Sequence, residues 1–118
     1  MYVEREVQKH FGELVAVYNV LAVVGPRQAG KTTFLKQEAH GKNVAYVSFD
    51  DLDARKMFDS DVKKFETQFM EPELSILDEV QYGKEAGQKL KYLADKGKKI
   101  WITSSSQVLL SKEVLSWL

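Results

Sequence analysis

The chain has 118 residues, and its 17 Lys and Arg balance its 17 Asp and Glu, so overall charge gives no drive toward nucleic acid or an anionic membrane. It has no cysteine, which excludes disulfides and thiolate zinc sites. One domain over residues 1–118 fits this length, no apolar run approaches the roughly 20 residues that span a bilayer, and Glu4 and Glu6 interrupt any signal peptide, so a cytoplasmic location is the simplest expectation.

Residues 3 to 18 place Val7, Phe11, Leu14, Val15 and Tyr18 on one helical face. This predicts an amphipathic helix that covers a sheet, with a partner-binding helix as the alternative. Val20 to Val24 is an apolar, partly β-branched run, read as the first strand. Gly25-Pro26-Arg27-Gln28-Ala29-Gly30-Lys31-Thr32 follows and matches G-x-x-x-x-G-K-[ST] at every fixed position. Thr33 to Ala39 can form a helix, so the motif sits between strand and helix as a phosphate loop must. In that setting the backbone N–H groups from Gly25 through Thr33, Pro26 having none, cradle the α and β phosphates. Lys31 reaches the β and γ phosphates, and Thr32 Oγ1 is a ligand for Mg²⁺. Gly41 is a natural stop after this helix.

Val44 to Phe49 reads as a second strand whose nearly continuous apolar pattern suits a sheet covered on both faces. Asp50, Asp51 and Asp53 follow; they can cap the next helix or meet Mg²⁺-bound water, and capping, with Asp53 as the cap, is the favoured reading. A helix is predicted over 54–70, with Phe58, Val62, Phe65 and Phe69 as its packing stripe. Leu74 to Leu77 is a short apolar strand that runs into Asp78-Glu79. Acids at a buried strand end need a cation or hydrogen bonds to match them. With an intact phosphate loop upstream, Asp78 is expected to hold Mg²⁺ and Glu79 to act as the catalytic base on the attacking water, with Lys31 as its catalytic partner at the phosphate. Gln81 is a candidate for coupling the position of that water to a neighbouring group.

Residues 84 to 96 read as a helix that stops at Gly97. Lys84, Lys89, Lys91, Lys96, Lys98 and Lys99 lie in this segment against Glu85 and Asp95. A solvated face is favoured over contact with nucleic acid phosphates, because no aromatic interleaving accompanies the lysines. Ile100 to Thr103 is a fourth strand. At its end a polar side chain can sense the γ phosphate, Ser104 being the first candidate and Thr103 the second. A final helix is predicted over 107–118.

Strands and helices alternate four times, which predicts an α/β fold of three layers with a mostly parallel sheet. No further strand is evident, so the sheet is expected to keep an exposed edge. That edge, and the apolar terminal stretch through Trp117-Leu118, are candidate surfaces for self-association. The domain is expected to be incomplete at its carboxyl end.

Four blocks, in order, carry a family resemblance. Val24 to Leu35, Tyr46-Val47-Ser48-Phe49-Asp50-Asp51, Leu77-Asp78-Glu79-Val80-Gln81 and Ile102-Thr103-Ser104-Ser105-Ser106 resemble a large archaeal and bacterial ATPase family of the AAA superfamily. The third block resembles its Walker B signature; the fourth resembles its sensor strand, with Ser104 where glycine is usual; and Leu109-Leu110-Ser111 also fits. The resemblance implies a P-loop NTPase fold with strand order 2-3-4-1 and a fifth strand normally beyond strand one, so that strand one, residues 20–24, is expected at an edge of this sheet. It implies ATP, in the absence of an Asn-Lys-x-Asp guanine signature, with Mg²⁺ as cofactor and hydrolysis coupled to conformational change of other domains or partners. The family's triggering arginine falls just past Leu118, so residues 1–118 alone are expected to turn over slowly. A nucleotide-binding module with little turnover and a small-molecule kinase are the alternative functions.

Overall fold

The structure, a computed structural model, describes residues 2–3, 11, 13, 18–26 and 30–105. Among these, five strands form one parallel sheet: β1 (Tyr2–Val3), β2 (Val20–Val24), β3 (Val44–Ser48), β4 (Leu74–Asp78) and β5 (Lys99–Ser104). Their order across the sheet is β1-β2-β5-β4-β3. Helix α1 (Lys31–Glu38) connects β2 to β3, and α2 (Leu52–Ser60) with α3 (Val62–Phe69) connects β3 to β4. A 3₁₀ turn (Val80–Tyr82) and α4 (Ala86–Asp95) connect β4 to β5. β2 pairs with β5 rather than with β3, so the strand order reverses beside β2, and in open α/β sheets the carboxyl ends of the strands at such a point are where ligands bind.

Alternation along the strands divides the core in two. Val20, Ala22, Leu77, Ile100 and Ile102 face one side, where Phe58, Phe65, Leu90 and Leu93 of α2, α3 and α4 cover them. Leu21, Val23, Leu74, Ile76 and Trp101 face the other, against Leu35 of α1 and Phe11. Phe11 stands edge-on to Trp101, with ring centroids 4.9 Å apart, and to Phe34 at 5.3 Å, so residue 11 covers the sheet as its sequence position predicts. Most of the helix predicted over 3 to 18, and all of that over 107–118, lies outside the described residues, as does Leu109-Leu110-Ser111.

The four predicted strands take the order 2-3-4-1. The outer side of the first of them is not open, however. Tyr2 pairs with Ala22 and Val3 with Val23, so β1 occupies the fifth position and β2 is internal. Among the described residues the edges of the sheet are β1 and β3, and the strand over 20–24, expected at an edge, is internal. Two residues are too short to show a period, and here they precede a helical pattern that masks them.

The single helix predicted over 54–70 is two helices. Asp61 ends α2 and caps α3, its side chain accepting from Lys64 N at 3.1 Å. A short carboxylate competes for the backbone amides and breaks the helix while the aromatic spacing continues across it. Phe49, Phe58 and Phe65 still meet edge-to-face, at 4.8 to 5.9 Å. The cap of α2 is Asp51, not Asp53: Asp51 Oδ1 accepts from Asp53 N at 2.9 Å. No helix among the described residues is long and apolar enough to cross a membrane.

Candidate active site

At the end of β2 the chain turns at Gly25, whose N–H donates to Ser104 O at 3.2 Å and ties the loop to the end of β5. Arg27, Gln28 and Ala29 of the predicted phosphate loop lie outside the described residues. Gly30 closes the loop at φ 80, a left-handed conformation natural to glycine, with open space where a Cβ would stand. It caps α1 without a side-chain acceptor, so the first-turn amides of Lys31, Thr32 and Thr33 are directed along the helix axis into the loop. That is the arrangement in which a helix start receives an anion.

Lys31 is almost wholly buried. Its ammonium donates to Gly25 O, to Pro26 O at 2.9 Å and to Ser105 Oγ at 3.3 Å, and lies 3.8 Å from Glu79 Oε1. A charge removed from water needs such partners, and they hold the ammonium inside the loop.

Asp78, at the end of β4, accepts three hydroxyls. Thr32 Oγ1 and Thr103 Oγ1 donate to its Oδ1, the first at 2.6 Å, and Tyr46 OH donates to its Oδ2 at 3.1 Å. The in-register pairing of β3, β4 and β5 explains the convergence. Tyr46 stands beside Ile76 and Thr103 continues beyond Trp101, on the face that Asp78 shares and α1 covers. Partial burial, and then the charge and hydrogen bond of Asp78, push the Tyr46 phenol up to about 12. The Thr32 hydroxyl and the Asp78 carboxylate are hard oxygen donors side by side. They fit Mg²⁺, which takes one or two protein oxygens together with water and phosphate oxygens.

Glu79 is buried and takes the left-handed conformation at φ 58. For a residue with a Cβ this conformation costs about 1–3 kcal/mol and persists where its surroundings over-determine it. Here they do. Its N–H donates to Thr103 Oγ1 at 2.9 Å and its carbonyl accepts from Tyr82 N at 3.2 Å. Its carboxylate accepts from Ser105 Oγ at 2.7 and 2.9 Å and from Gln81 Nε2 at 3.1 Å.

Lys31, Thr32, Asp78 and Glu79 are therefore brought together. Ser104, the first candidate on the sensor strand, is fully buried and offers its carbonyl to Gly25. The side chains that reach the acidic pair from β5 and its end are Thr103 and Ser105. Alternation carries the reason, since Thr103 and Ser105 share a face and Ser104 has the opposite one. Sequence reasoning passed over Ser105 and Tyr46; the parity of Asp78, Thr103 and Tyr46 along adjacent parallel strands was the signal available.

Four side chains of the lysine-rich segment are engaged within the chain. Lys89 Nζ donates to Asp59 O, Lys91 pairs with Asp95, Lys96 with Glu66, and Lys98 Nζ donates to Met70 O. A cavity of about 390 Å³ among Lys42, Asn43, Glu73, Leu74, Lys99 and Trp101 lies at the amino ends of β3, β4 and β5, the opposite end of the strands from Asp78. None of Lys31, Thr32, Asp78 and Glu79 lines it.

A family model described as AAA domain matches residues 17–118. No curated protein matches the chain. A solved structure described as a DNA replication initiation factor is similar, with 27% identity and a TM-score of 0.63 over 94% of this chain and 42% of that one. This chain thus spans less than half the length of that relative.

Proposed function

The chain belongs to the AAA domain family of nucleotide-binding ATPases, and on that premise we propose that it binds ATP with Mg²⁺ at the loop from Gly25 to Thr33 and hydrolyses it to ADP and phosphate. The observation that carries this reading is the meeting of the buried Lys31 ammonium with the buried Glu79 carboxylate, 3.8 Å apart, beside the Thr32–Asp78 pair. Lys31 exchanges the carbonyls of Gly25 and Pro26 for β- and γ-phosphate oxygens, since all of these acceptors suit one ammonium. Thr32 Oγ1 and Asp78 would hold Mg²⁺, which would supply positive charge to offset that on the transferring phosphoryl group. Glu79 accepts a proton from the attacking water as its oxygen bonds to the γ phosphorus and the bond to ADP breaks. Thr103 sets the backbone of Glu79, and Ser105 orients its carboxylate. Coupling of this hydrolysis to conformational change in other domains or partners is part of the proposal and is supported by the family alone. DNA is named in the description of the similar replication factor, but among the described residues four lysines of the 84–99 segment make contacts within the chain, which favours a solvated face there over a nucleic acid contact.

Isothermal titration with Mg-ATP tests the assignment. Lys31→Ala should abolish measurable affinity while leaving the far-ultraviolet circular dichroism nearly unchanged, and equal affinity in the variant and the parent would refute it. Glu79→Gln should keep ATP and lose phosphate release, because an amide cannot serve as the base.

A further inference from the structure

We propose that Gln81 positions the attacking water, its side-chain oxygen accepting one proton of the water while its nitrogen holds Glu79. The inference rests on the hydrolysis reading above and adds a residue to it.

Gln81 Nε2 donates to Glu79 Oε2 at 3.1 Å. Gln81 Oε1 is buried, and no hydrogen-bond partner meets it among the described residues. The two amide atoms cannot be exchanged, because a carboxylate only accepts and therefore requires the NH₂ group. A buried amide oxygen is costly without a donor. The one other side-chain atom in this condition, among the described residues, is Ser75 Oγ within β4, away from the acidic turn.

The donor that suits Oε1 is a water. Phosphate oxygens at neutral pH accept and do not donate, so a nucleotide's triphosphate cannot satisfy it. Amide geometry puts Oε1 about 4 to 5 Å from the Glu79 carboxylate, the span that one water bridges with two hydrogen bonds of ordinary length. A water held this way has both protons directed at acceptors and a lone pair left for phosphorus. One of those acceptors is the base that takes the proton.

The backbone under Gln81 is rigid, as positioning demands. Gln81 lies in the 3₁₀ turn closed by Tyr82 N to Glu79 O at 3.2 Å and Gly83 N to Val80 O at 3.0 Å. Val80 is fully buried, and a Cβ at Gly83 would stand 2.7 Å from the rings of Phe49 and Phe58.

The test compares Gln81→Met, which keeps the side-chain length and removes both amide functions, with the parent chain. Two mimics are titrated in Mg²⁺: ADP with beryllium fluoride, which resembles bound ATP, and ADP with aluminium fluoride, which binds with the attacking water in line. Interactions made only in the transition state discriminate between them. Gln81→Met should bind the beryllium complex within about twofold of the parent, which also shows that the site is folded. It should bind the aluminium complex at least tenfold more weakly, and kcat should fall with KM unchanged. Parental affinity for the aluminium complex, or equal loss of both mimics, would overturn the role of Gln81. Lys31→Ala run alongside separates this from the underlying reading: if it binds both mimics as the parent does, the phosphate site itself is misassigned and the role of Gln81 falls with it.

Discussion

The hydroxyl of Thr32 donates to Asp78 Oδ1 across 2.6 Å, joining the first turn of α1 to the end of β4. One oxygen comes from the phosphate loop and the other from the acidic strand end, so the contact reports the docking of the two motifs and also marks where Mg²⁺ fits. Thr32→Val keeps the branched shape and removes the oxygen. It should raise the Mg²⁺ concentration needed for half-maximal ATP binding by about tenfold or more, the usual scale for losing a metal partner. Asp78→Asn should do the same. Titration of Mg²⁺ at fixed ATP measures this, and an unchanged midpoint in both variants would remove the metal from this pair.

Ser105 bridges the two buried charges, donating to both oxygens of Glu79 and accepting from Lys31. Ser105→Ala leaves that carboxylate short of a donor. The chain should lose about 1–3 kcal/mol of stability, the cost of an unmade bond to a buried polar group. Denaturant unfolding measures it. Phosphate release should fall as well, since the base is no longer oriented.

Gly83 has no room for a side chain. An added Cβ would meet Phe49 Cε2 and Phe58 Cε2 at 2.7 Å, and both rings are fully buried and cannot swing clear. Gly83→Ala should therefore cost about 1–3 kcal/mol by overpacking. The denaturation midpoint should drop, and turnover should drop with it because the same turn carries Gln81.

The Tyr46 phenol, raised to about 12 from an ordinary value of 10, has a defined pH window. A folded-state value above the unfolded one means that the stabilising contribution is complete below pH 10 and is lost as pH rises through 12. Tyr46 is 42% exposed, so the gain is screened and small. Subtracting the tyrosinate absorbance titration of Tyr46→Phe from that of the parent should reveal a phenol that ionises near 12; one that ionises near 10 would show that neither the partial burial of Tyr46 nor its contact with Asp78 persists in solution.

Much of the site was legible because it is written locally. A glycine-rich loop with Lys31 and Thr32 after an apolar run, and acids closing a second apolar run, are short patterns whose chemistry depends on neighbours in the chain. The four main strands and most helices were legible for the same reason, since a strand of five residues shows its own burial pattern. The break at Asp61 was written there too, but the aromatic spacing across it looked continuous.

The remainder belongs to pairing between distant segments. The residues from β5 onward that serve the acids depend on register against β4, where Leu77 lies beside Ile102; one step on, Asp78 meets Thr103 and not Ser104. Tyr46 reaches Asp78 only because β3 lies beside β4. β1 exists only as the partner of Ala22 and Val23. The sequence by itself determined which groups could bind phosphate, metal and water. The tertiary structure decided which side chains orient them, because side chains alternate along a strand and a shift of one residue turns each to the other face.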